Sequence, residues 1–252
     1  MNALGAVVFD TDGVLLATAV RHASAWKKAF DGCLAQWQPT PAERRLEPFD
    51  AVREYRDLVD GRSRLDGVRA FLASRRIELP AGTSQDAPGC ATVHAVAARK
   101  EETFCQSLRT EGVNAFEDVL PTLRHLRDGG VRCAAVSASR HARSLLEAAD
   151  LVSSFDAVVD GTDASALDLP GKPDPALFLE AAARLGTAPS RAAMVEDALV
   201  GVEAGHRGGF SLVVGLNREN DPRMAEALLE KGAHVVLPDL TELPAVLEGG
   251  RP

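Results

Sequence analysis

The sequence lacks the features that are typical of nucleic-acid-binding and membrane proteins. Its 28 Lys and Arg residues are outnumbered by 36 Asp and Glu residues, which gives a net charge of −8. A nucleic-acid-binding surface needs a basic excess instead. No apolar run approaches the roughly 18 residues that a membrane helix requires. We therefore expect that the protein binds neither nucleic acid nor a membrane.

Close cysteine pairs and a signal pattern are also absent. The four cysteines show no metal-ligand or redox spacing; they are Cys33, Cys90, Cys105 and Cys133. An apolar segment follows Met1 almost at once, where a signal peptide would have a charged segment first. We therefore expect no N-terminal signal, reduced and mostly buried cysteines, and a cytoplasmic protein.

The first segment ends in two carboxylates. Val7, Val8 and Phe9 form an apolar run without polar alternation, which predicts a parallel strand buried on both faces. Asp10 and Asp12 follow it, and open α/β sheets bind their ligands beyond the carboxyl ends of their strands. An acidic surface turn is the alternative, and this stretch alone favours a functional site only slightly.

The remaining chain predicts an α/β fold with a helical insertion. Residues 18–109 show helical periodicity in several segments, with an irregular connection at 37–48. Beyond them, apolar strands alternate with helices, which indicates a doubly wound, mostly parallel, Rossmann-like sheet that includes the first strand. We expect a catalytic core domain at 1–16 and 117–252, and an inserted α-helical cap domain at 17–116.

Three further polar motifs follow predicted strands or lie in loops of the core. Ser137 ends the second core strand, Lys172 lies in a loop with two prolines, and Glu196 and Asp197 end another buried strand. Each has an ordinary explanation as a helix cap or a surface charge. Together they bring four carboxylates to one sheet edge, where their repulsion requires a cation. Oxygen-only ligation suits Mg²⁺.

This order of motifs resembles the haloacid dehalogenase-like hydrolase superfamily over essentially the whole chain. The resemblance implies that Asp10 is a nucleophile that forms an aspartyl phosphate and that Asp12 is the general acid/base. Ser137 and the Ala138 amide would hold phosphoryl oxygens, and Lys172 would neutralise charge. The resemblance further implies a Mg²⁺ site with four ligand residues: Asp10, Asp12, Glu196 and Asp197.

The finer resemblance is to the β-phosphoglucomutase subfamily, in the motifs at 137–140, 171–175 and 196–198. It implies a set of substrate-binding residues: Thr18, His22, Trp26, Arg64, Lys100, Ala138, Ser139 and Arg140. The residues themselves support Lys100, which interrupts an apolar helical stripe, because a lysine is rarely buried without a partner. A snorkelling lysine and a core histidine at position 22 are the ordinary alternatives. Ala17, Arg140, His141 and the length of 37–60 depart from the subfamily.

The resemblance implies a Mg²⁺-dependent mutase that interconverts β-D-glucose 1-phosphate and glucose 6-phosphate through a bisphosphate. Two cations in the insertion, Arg64 and Lys100, favour it, because a mutase must bind a second phosphate far from the metal. A sugar-phosphate phosphatase is the main alternative, and a non-catalytic phosphate-binding regulatory protein is another. We expect a small-molecule sugar phosphate as the partner, and a monomer.

Overall fold

A computed structural model describes residues 4–37 and 47–249. Most of the predicted irregular connection at 37–48 lies outside these residues. The chain folds as two compact units, one formed by Met1–Ala17 with Val113–Pro252 and the other by Thr18–Gly112. No helix of the described ranges is long and apolar enough to cross a membrane.

The unit Thr18–Gly112 is helical. Its helices are α1 Ala19–Leu34, α2 Arg64–Arg75 and α3 Val93–Glu111, with a π-helical turn at Tyr55–Val59. Ser63 caps α2 by accepting a hydrogen bond of 3.2 Å from the Asp66 amide. Thr92 caps α3 in the same way, through the Ala95 amide at 3.0 Å. Both caps satisfy amide groups that the helix itself leaves without partners.

Stacked aromatic rings fill the interior of the helical unit. The Phe30 ring lies 3.8 Å from the Phe71 ring and 4.9 Å from the Trp26 ring, between centroids. The contact between Phe30 and Phe71 joins α1 to α2. Gly67 permits the approach, because a Cβ atom there would lie 3.1 Å from the Trp26 indole. The apolar face of α1 therefore packs inside this unit.

A disulfide bond joins Cys33 of α1 to Cys90 in the loop before α3. The prediction that all four cysteines are reduced is wrong for this pair, whereas Cys105 and Cys133 remain thiols. The two partners lie 57 residues apart in the sequence, yet their Cα atoms are 5.2 Å apart in the structure. Helix packing brings them together, so no local spacing could reveal the pair. Because disulfides are rare in reducing compartments, the cysteines no longer support the prediction of a cytoplasmic protein.

The unit formed by 1–17 and 113–252 contains a fully parallel six-stranded sheet in the order β3-β2-β1-β4-β5-β6. Its strands are β1 Ala6–Asp10, β2 Arg132–Val136, β3 Ala157–Val159, β4 Ala192–Glu196, β5 Leu212–Leu216 and β6 Val235–Leu237. The predicted doubly wound sheet is confirmed. Every residue of β1 is buried, which explains its uninterrupted apolar run.

Helices flank this sheet along the chain. They are α4 Val119–Asp128, α5 Ala142–Ala148, α6 Gly161–Ala166, α7 Ala176–Arg184, α8 Leu199–Arg207, α9 Pro222–Glu230 and α10 Leu243–Leu247. The short helices α6 and α10 were not predicted, because six and five residues carry little periodicity. α4 ends before Gly129 and Gly130.

We expect a reductant to lower the melting temperature of the protein. A cross-link over 57 residues restricts the unfolded chain, and such bonds contribute about 2–4 kcal/mol to stability. Calorimetry should show that the double variant Cys33→Ser/Cys90→Ser melts like the reduced protein and does not respond to dithiothreitol. Cys105→Ser should keep the response. A double variant that still responds would contradict the disulfide.

Candidate active site

The register of the sheet brings three predicted site residues to one edge. Asp10 at the end of β1 pairs with Val136, the residue before Ser137. Phe9 pairs with Val195, the residue before Glu196. All strands are parallel, so these side chains follow the same carboxyl edge, where α/β sheets bind ligands. The sheet itself therefore assembles residues that lie up to 186 positions apart (196 − 10).

A buried lysine links two of these carboxylates. The Lys172 ammonium donates to Asp10 Oδ1 at 2.5 Å and to Glu196 Oε1 at 2.6 Å. The exposed fraction is 2% for Lys172, 5% for Asp10 and 0% for Glu196, so all three charges are removed from water. Buried charges are tolerated only when paired. The lysine is thus part of the site and not the surface lysine of the ordinary explanation.

The electrostatics of this cluster keep the lysine protonated. Burial by itself would lower the pKa of Lys172, but the carboxylates of Asp10 and Glu196 raise it above its usual value. For Asp10, burial raises the pKa, and Glu196 and Asp12 raise it further against the opposing effect of Lys172. One ammonium does not balance this group of carboxylates. An additional cation at the cluster would favour the ionised form of Asp10.

Asp12 and Ser137 lie beside the cluster. The Ser137 hydroxyl donates to Asp12 Oδ2 at 3.1 Å. The Asp12 amide donates to Asp10 Oδ2 at 3.0 Å, which places the two aspartates of the opening motif against each other. The Ser139 amide donates to the Ser137 hydroxyl oxygen at 3.0 Å. The structure therefore brings the predicted Asp10, Asp12, Ser137 and Lys172 into one connected group.

The segment after Ser137 follows the same edge. Ser139 accepts a hydrogen bond from the His141 amide through its hydroxyl at 3.2 Å and from the Gly161 amide through its carbonyl at 3.1 Å. Ala138 lies between Ser137 and Ser139. Arg140 is exposed, and its guanidinium lies 3.5 Å from the Ser165 hydroxyl of α6. The predicted phosphate-binding segment is thus held by backbone hydrogen bonds at its base.

Three carboxylates could hold a divalent cation. Oxygen atoms of Asp10, Glu196 and Asp197 lie within 4.8 Å of one another. Hard oxygen donors of this kind fit Mg²⁺. Glu196 also binds Lys172 and, through Oε2, the Ala198 amide at 2.6 Å. Both oxygens of Asp10 also have protein partners, Lys172 and the Asp12 amide, so a cation here would share these carboxylates with donors of the protein.

Gly13 makes room for one of these carboxylates. Its φ of +81° lies in the region that favours glycine, and a Cβ atom there would overlap the Asp197 carboxylate. A Cβ atom at Gly201, at the start of α8, would likewise overlap the Glu196 carboxylate. Two backbone segments therefore approach the acidic cluster as closely as the absence of a side chain allows.

The helical unit contains a second group of predicted residues. Lys100 of α3 is 2% exposed, and its Nζ lies 2.7 Å from His22 Nδ1. The same Nζ lies 4.4 Å from the Phe104 ring centroid and 5.5 Å from that of Trp26. The lysine is therefore not snorkelling, and it is not buried alone. His22, Trp26 and Lys100 form one cluster on α1 and α3.

The other predicted residues of the helical unit also have partners. Arg64 at the start of α2 forms an ion pair of 2.7 Å with Glu101, the neighbour of Lys100 on α3. Thr18 is buried, and its carbonyl accepts hydrogen bonds from the amides of Arg21 and His22. Glu101 was not singled out in the sequence, where it is one of several charges on a helix. Only the fold shows that it faces Arg64.

Comparisons with known proteins identify the family of the chain. The family model described as haloacid dehalogenase-like hydrolase matches residues 4–209. The chain belongs to this family. It is therefore an enzyme, as the sequence predicted. The matched residues include part of the sheet unit and all of the helical unit.

Named relatives cover nearly the whole chain. A β-phosphoglucomutase of Mycobacterium tuberculosis is 41% identical over 238 residues, which are 94% of this chain and 90% of that protein. Validoxylamine A 7'-phosphate phosphatase of Streptomyces hygroscopicus is 29% identical and covers 94% of both chains. The crystal structure of a β-phosphoglucomutase from Clostridium difficile matches with a TM-score of 0.71 at 21% identity, over 97% of this chain and 96% of that one. The last comparison shows the shared fold.

We predict that Gly13→Ala abolishes most of the activity. The new Cβ would displace the Asp197 carboxylate, and a misplacement of about 1 Å in an active site can lower turnover about 100-fold. Gly130→Ala is the matched control, since Gly130 has a φ of +71° but open space around its Cβ position. It should lose about 1–2 kcal/mol of stability and keep its turnover. Equal activities of the two variants in a phosphate-release assay would refute the steric argument.

Proposed function

We propose that the protein is a Mg²⁺-dependent phosphotransferase that works as a β-phosphoglucomutase. It would interconvert β-D-glucose 1-phosphate and glucose 6-phosphate, with an aspartyl phosphate at Asp10 and a sugar bisphosphate as intermediate. The contact on which this depends most is the buried pairing of Lys172 with Asp10 and Glu196 beside Asp12. The relative from Mycobacterium tuberculosis supports the choice of substrate.

Asp10 is the proposed nucleophile. One of its oxygens accepts from Lys172 and the other from the Asp12 amide, which fixes the orientation of the carboxylate. A carboxylate that attacks phosphorus splits one difficult transfer into two easier ones. A Mg²⁺ ion held by Asp10, the Asp12 carbonyl, Asp197 and Glu196 would screen the approach of an anionic phosphoryl group. Lys172 would offset the charge that develops at the transferred group.

Asp12 is the proposed general acid/base. It lies next to the nucleophile and accepts a hydrogen bond from the Ser137 hydroxyl. It would protonate the leaving sugar oxygen and later remove the proton from the attacking hydroxyl. Ser137 and the Ala138 amide would bind the phosphoryl oxygens, and Ser139 and Arg140 would extend this contact.

A second phosphate site in the helical unit would separate a mutase from a phosphatase. Lys100 and Arg64 supply two positive charges: Lys100 lies on α3, and Arg64 pairs with Glu101, the next residue of that helix. His22, Trp26 and Thr18 would complete the sugar-facing surface. A phosphate dianion is a stronger partner for a buried ammonium than an imidazole nitrogen is. The bisphosphate intermediate needs such a site for its second phosphoryl group.

A sugar-phosphate phosphatase is the second candidate. Arg64 already has a carboxylate partner, Glu101, which would compete with a second phosphate for the guanidinium. In addition, the relative from Streptomyces hygroscopicus, which aligns with 94% of this chain, is named a phosphatase. A purely regulatory protein is less well supported, because binding alone requires no nucleophile beside an acid/base group.

A coupled assay distinguishes the two reactions. The purified enzyme is given β-D-glucose 1-phosphate, Mg²⁺ and a catalytic amount of glucose bisphosphate, and both glucose 6-phosphate and free phosphate are measured. We expect glucose 6-phosphate to form much faster than phosphate, and Asp10→Asn to abolish both products. Free phosphate without glucose 6-phosphate would favour the phosphatase.

We predict that Lys100→Met lowers mutase turnover more than hydrolysis of a small phosphate ester. Lys100 lies in the helical unit, whereas the proposed chemistry uses the sheet edge, and only the mutase needs a second phosphate contact. Lys28→Met is the control, since Lys28 is an exposed lysine of α1 in the same unit. Equal losses in the two reactions would remove Lys100 from the second phosphate site.

A further inference from the structure

Arg218 lies just beyond the end of β5 and contacts the turn that follows the Asp10–Asp12 motif. Its Nε donates to the Gly13 carbonyl at 3.2 Å, and its Nη2 donates to the Val14 carbonyl at 2.8 Å. These two carbonyls belong to the stretch of chain that leads from β1 toward Thr18, the first residue of the helical unit. A side chain 204 residues away thus holds the turn of the catalytic motif.

The same guanidinium also binds the stretch that returns from the helical unit. Its Nη1 donates to Asp118 Oδ2 at 2.9 Å, and its central carbon lies 3.8 Å from the Phe116 ring centroid. Asp118 Oδ2 also accepts from the Leu240 amide at 2.7 Å. The exposed fractions of the two paired side chains are 18% and 10%. This is more shielded than the exposed ion pairs that contribute little to stability.

The outgoing and returning stretches are also bound to each other. The Ala17 amide donates to the Asn114 carbonyl at 3.0 Å, and the Phe116 amide donates to the Leu15 carbonyl at 3.2 Å. Arg218 therefore completes a network of hydrogen bonds that holds the outgoing and the returning stretch together. A lysine could not make the same contacts, because only the planar guanidinium directs three nitrogens toward three acceptors.

The turn that Arg218 holds is coupled to Asp12 by short hydrogen bonds. The Gly13 amide donates to the Leu16 carbonyl at 2.9 Å, and the Leu15 and Leu16 amides donate to the Thr11 carbonyl at 3.0 and 2.9 Å. Asp12 lies between Thr11 and Gly13. Any shift of the Gly13 and Val14 carbonyls therefore moves the backbone that carries the Asp12 carboxylate.

We infer that Arg218 is a positioning residue that sets the orientation of Asp12 by fixing the turn after the nucleophile. It touches no reacting atom and acts through the Gly13 and Val14 carbonyls. This inference rests on the proposed acid/base role of Asp12. A group that only stabilised the fold would lower every reaction by the same factor, whereas a group that orients the acid matters most when the leaving oxygen needs a proton.

The test compares two aryl esters and needs no sugar substrate. p-Nitrophenyl phosphate has a good leaving group, and phenyl phosphate has a poorer one that depends more on protonation. We expect Arg218→Met to lower kcat with phenyl phosphate at least about ten times more than kcat with p-nitrophenyl phosphate, since general acids contribute about 10²–10⁴-fold. Arg218→Lys should show the same pattern, because lysine keeps the positive charge but lacks the planar guanidinium with its three donor nitrogens.

Three further variants complete the experiment. Arg223→Met replaces an exposed arginine of α9 and should behave as the unmodified enzyme. Asp118→Asn leaves Arg218 in place but weakens its ion pair. It should also lower kcat more with phenyl phosphate than with p-nitrophenyl phosphate, by a smaller factor. This variant tests the inference if Arg218→Met fails to fold. Asp12→Asn is the reference for a lost acid.

The outcomes separate this inference from the proposed function. One outcome is a loss of kcat in Asp12→Asn that is larger with phenyl phosphate than with p-nitrophenyl phosphate, while the loss in the Arg218 variants is equal for both esters. In that case the positioning role is wrong and the proposed function stands. If Asp12→Asn loses the same factor of kcat with both esters, the acid role of Asp12 is wrong, and so is the inference that rests on it. Equal losses with both esters in the Arg218 variants would mean that Arg218 only stabilises the fold.

Discussion

The buried contact of Lys172 with Asp10 and Glu196 is the interaction on which the rest of the site depends. Three charged groups are withdrawn from water at the end of the central strands, and the lysine is the protein's own compensation for the two acids. Removing one partner of such a group leaves an uncompensated buried charge, which costs about 3–5 kcal/mol. Asp12 and Asp197 add acidic charge beside it, so the cluster as a whole fits a further cation.

The buried acidic cluster also restricts which residues can lie beside it. The acidic cluster is surrounded by backbone, and at Gly13 and Gly201 that backbone approaches carboxylates more closely than any Cβ atom permits. The two glycines belong to segments that follow β1 and β4, the neighbouring central strands. Their position therefore follows from the topology. Because these two central strands both end in carboxylates, the turn after β1 and the helix after β4 each carry a glycine where a side chain would clash.

The parallel sheet and the polar residues at its carboxyl edge could be predicted from the sequence because their signals are local. An apolar strand that ends in Asp10 is a continuous pattern, and parallel topology then aligns it with Ser137 and Glu196. The Cys33–Cys90 bond and the contacts of Arg218 could not be predicted, since they join residues 57 and 204 positions apart. Nothing near Arg218 in the sequence distinguishes it from a surface arginine. Its role follows only from the three-dimensional arrangement of two connecting stretches.

The two cations of the helical unit differ in how readily they would accept a phosphate. Lys100 Nζ lies 2.7 Å from an imidazole nitrogen, His22 Nδ1, and an imidazole carries no negative charge that would repel a phosphate. Arg64 is paired with the charged Glu101. A phosphate at Arg64 must either displace that carboxylate or share the guanidinium, which has five donors. Glu101 would therefore set how strongly a second phosphate binds, and with it the balance between transfer to sugar and transfer to water.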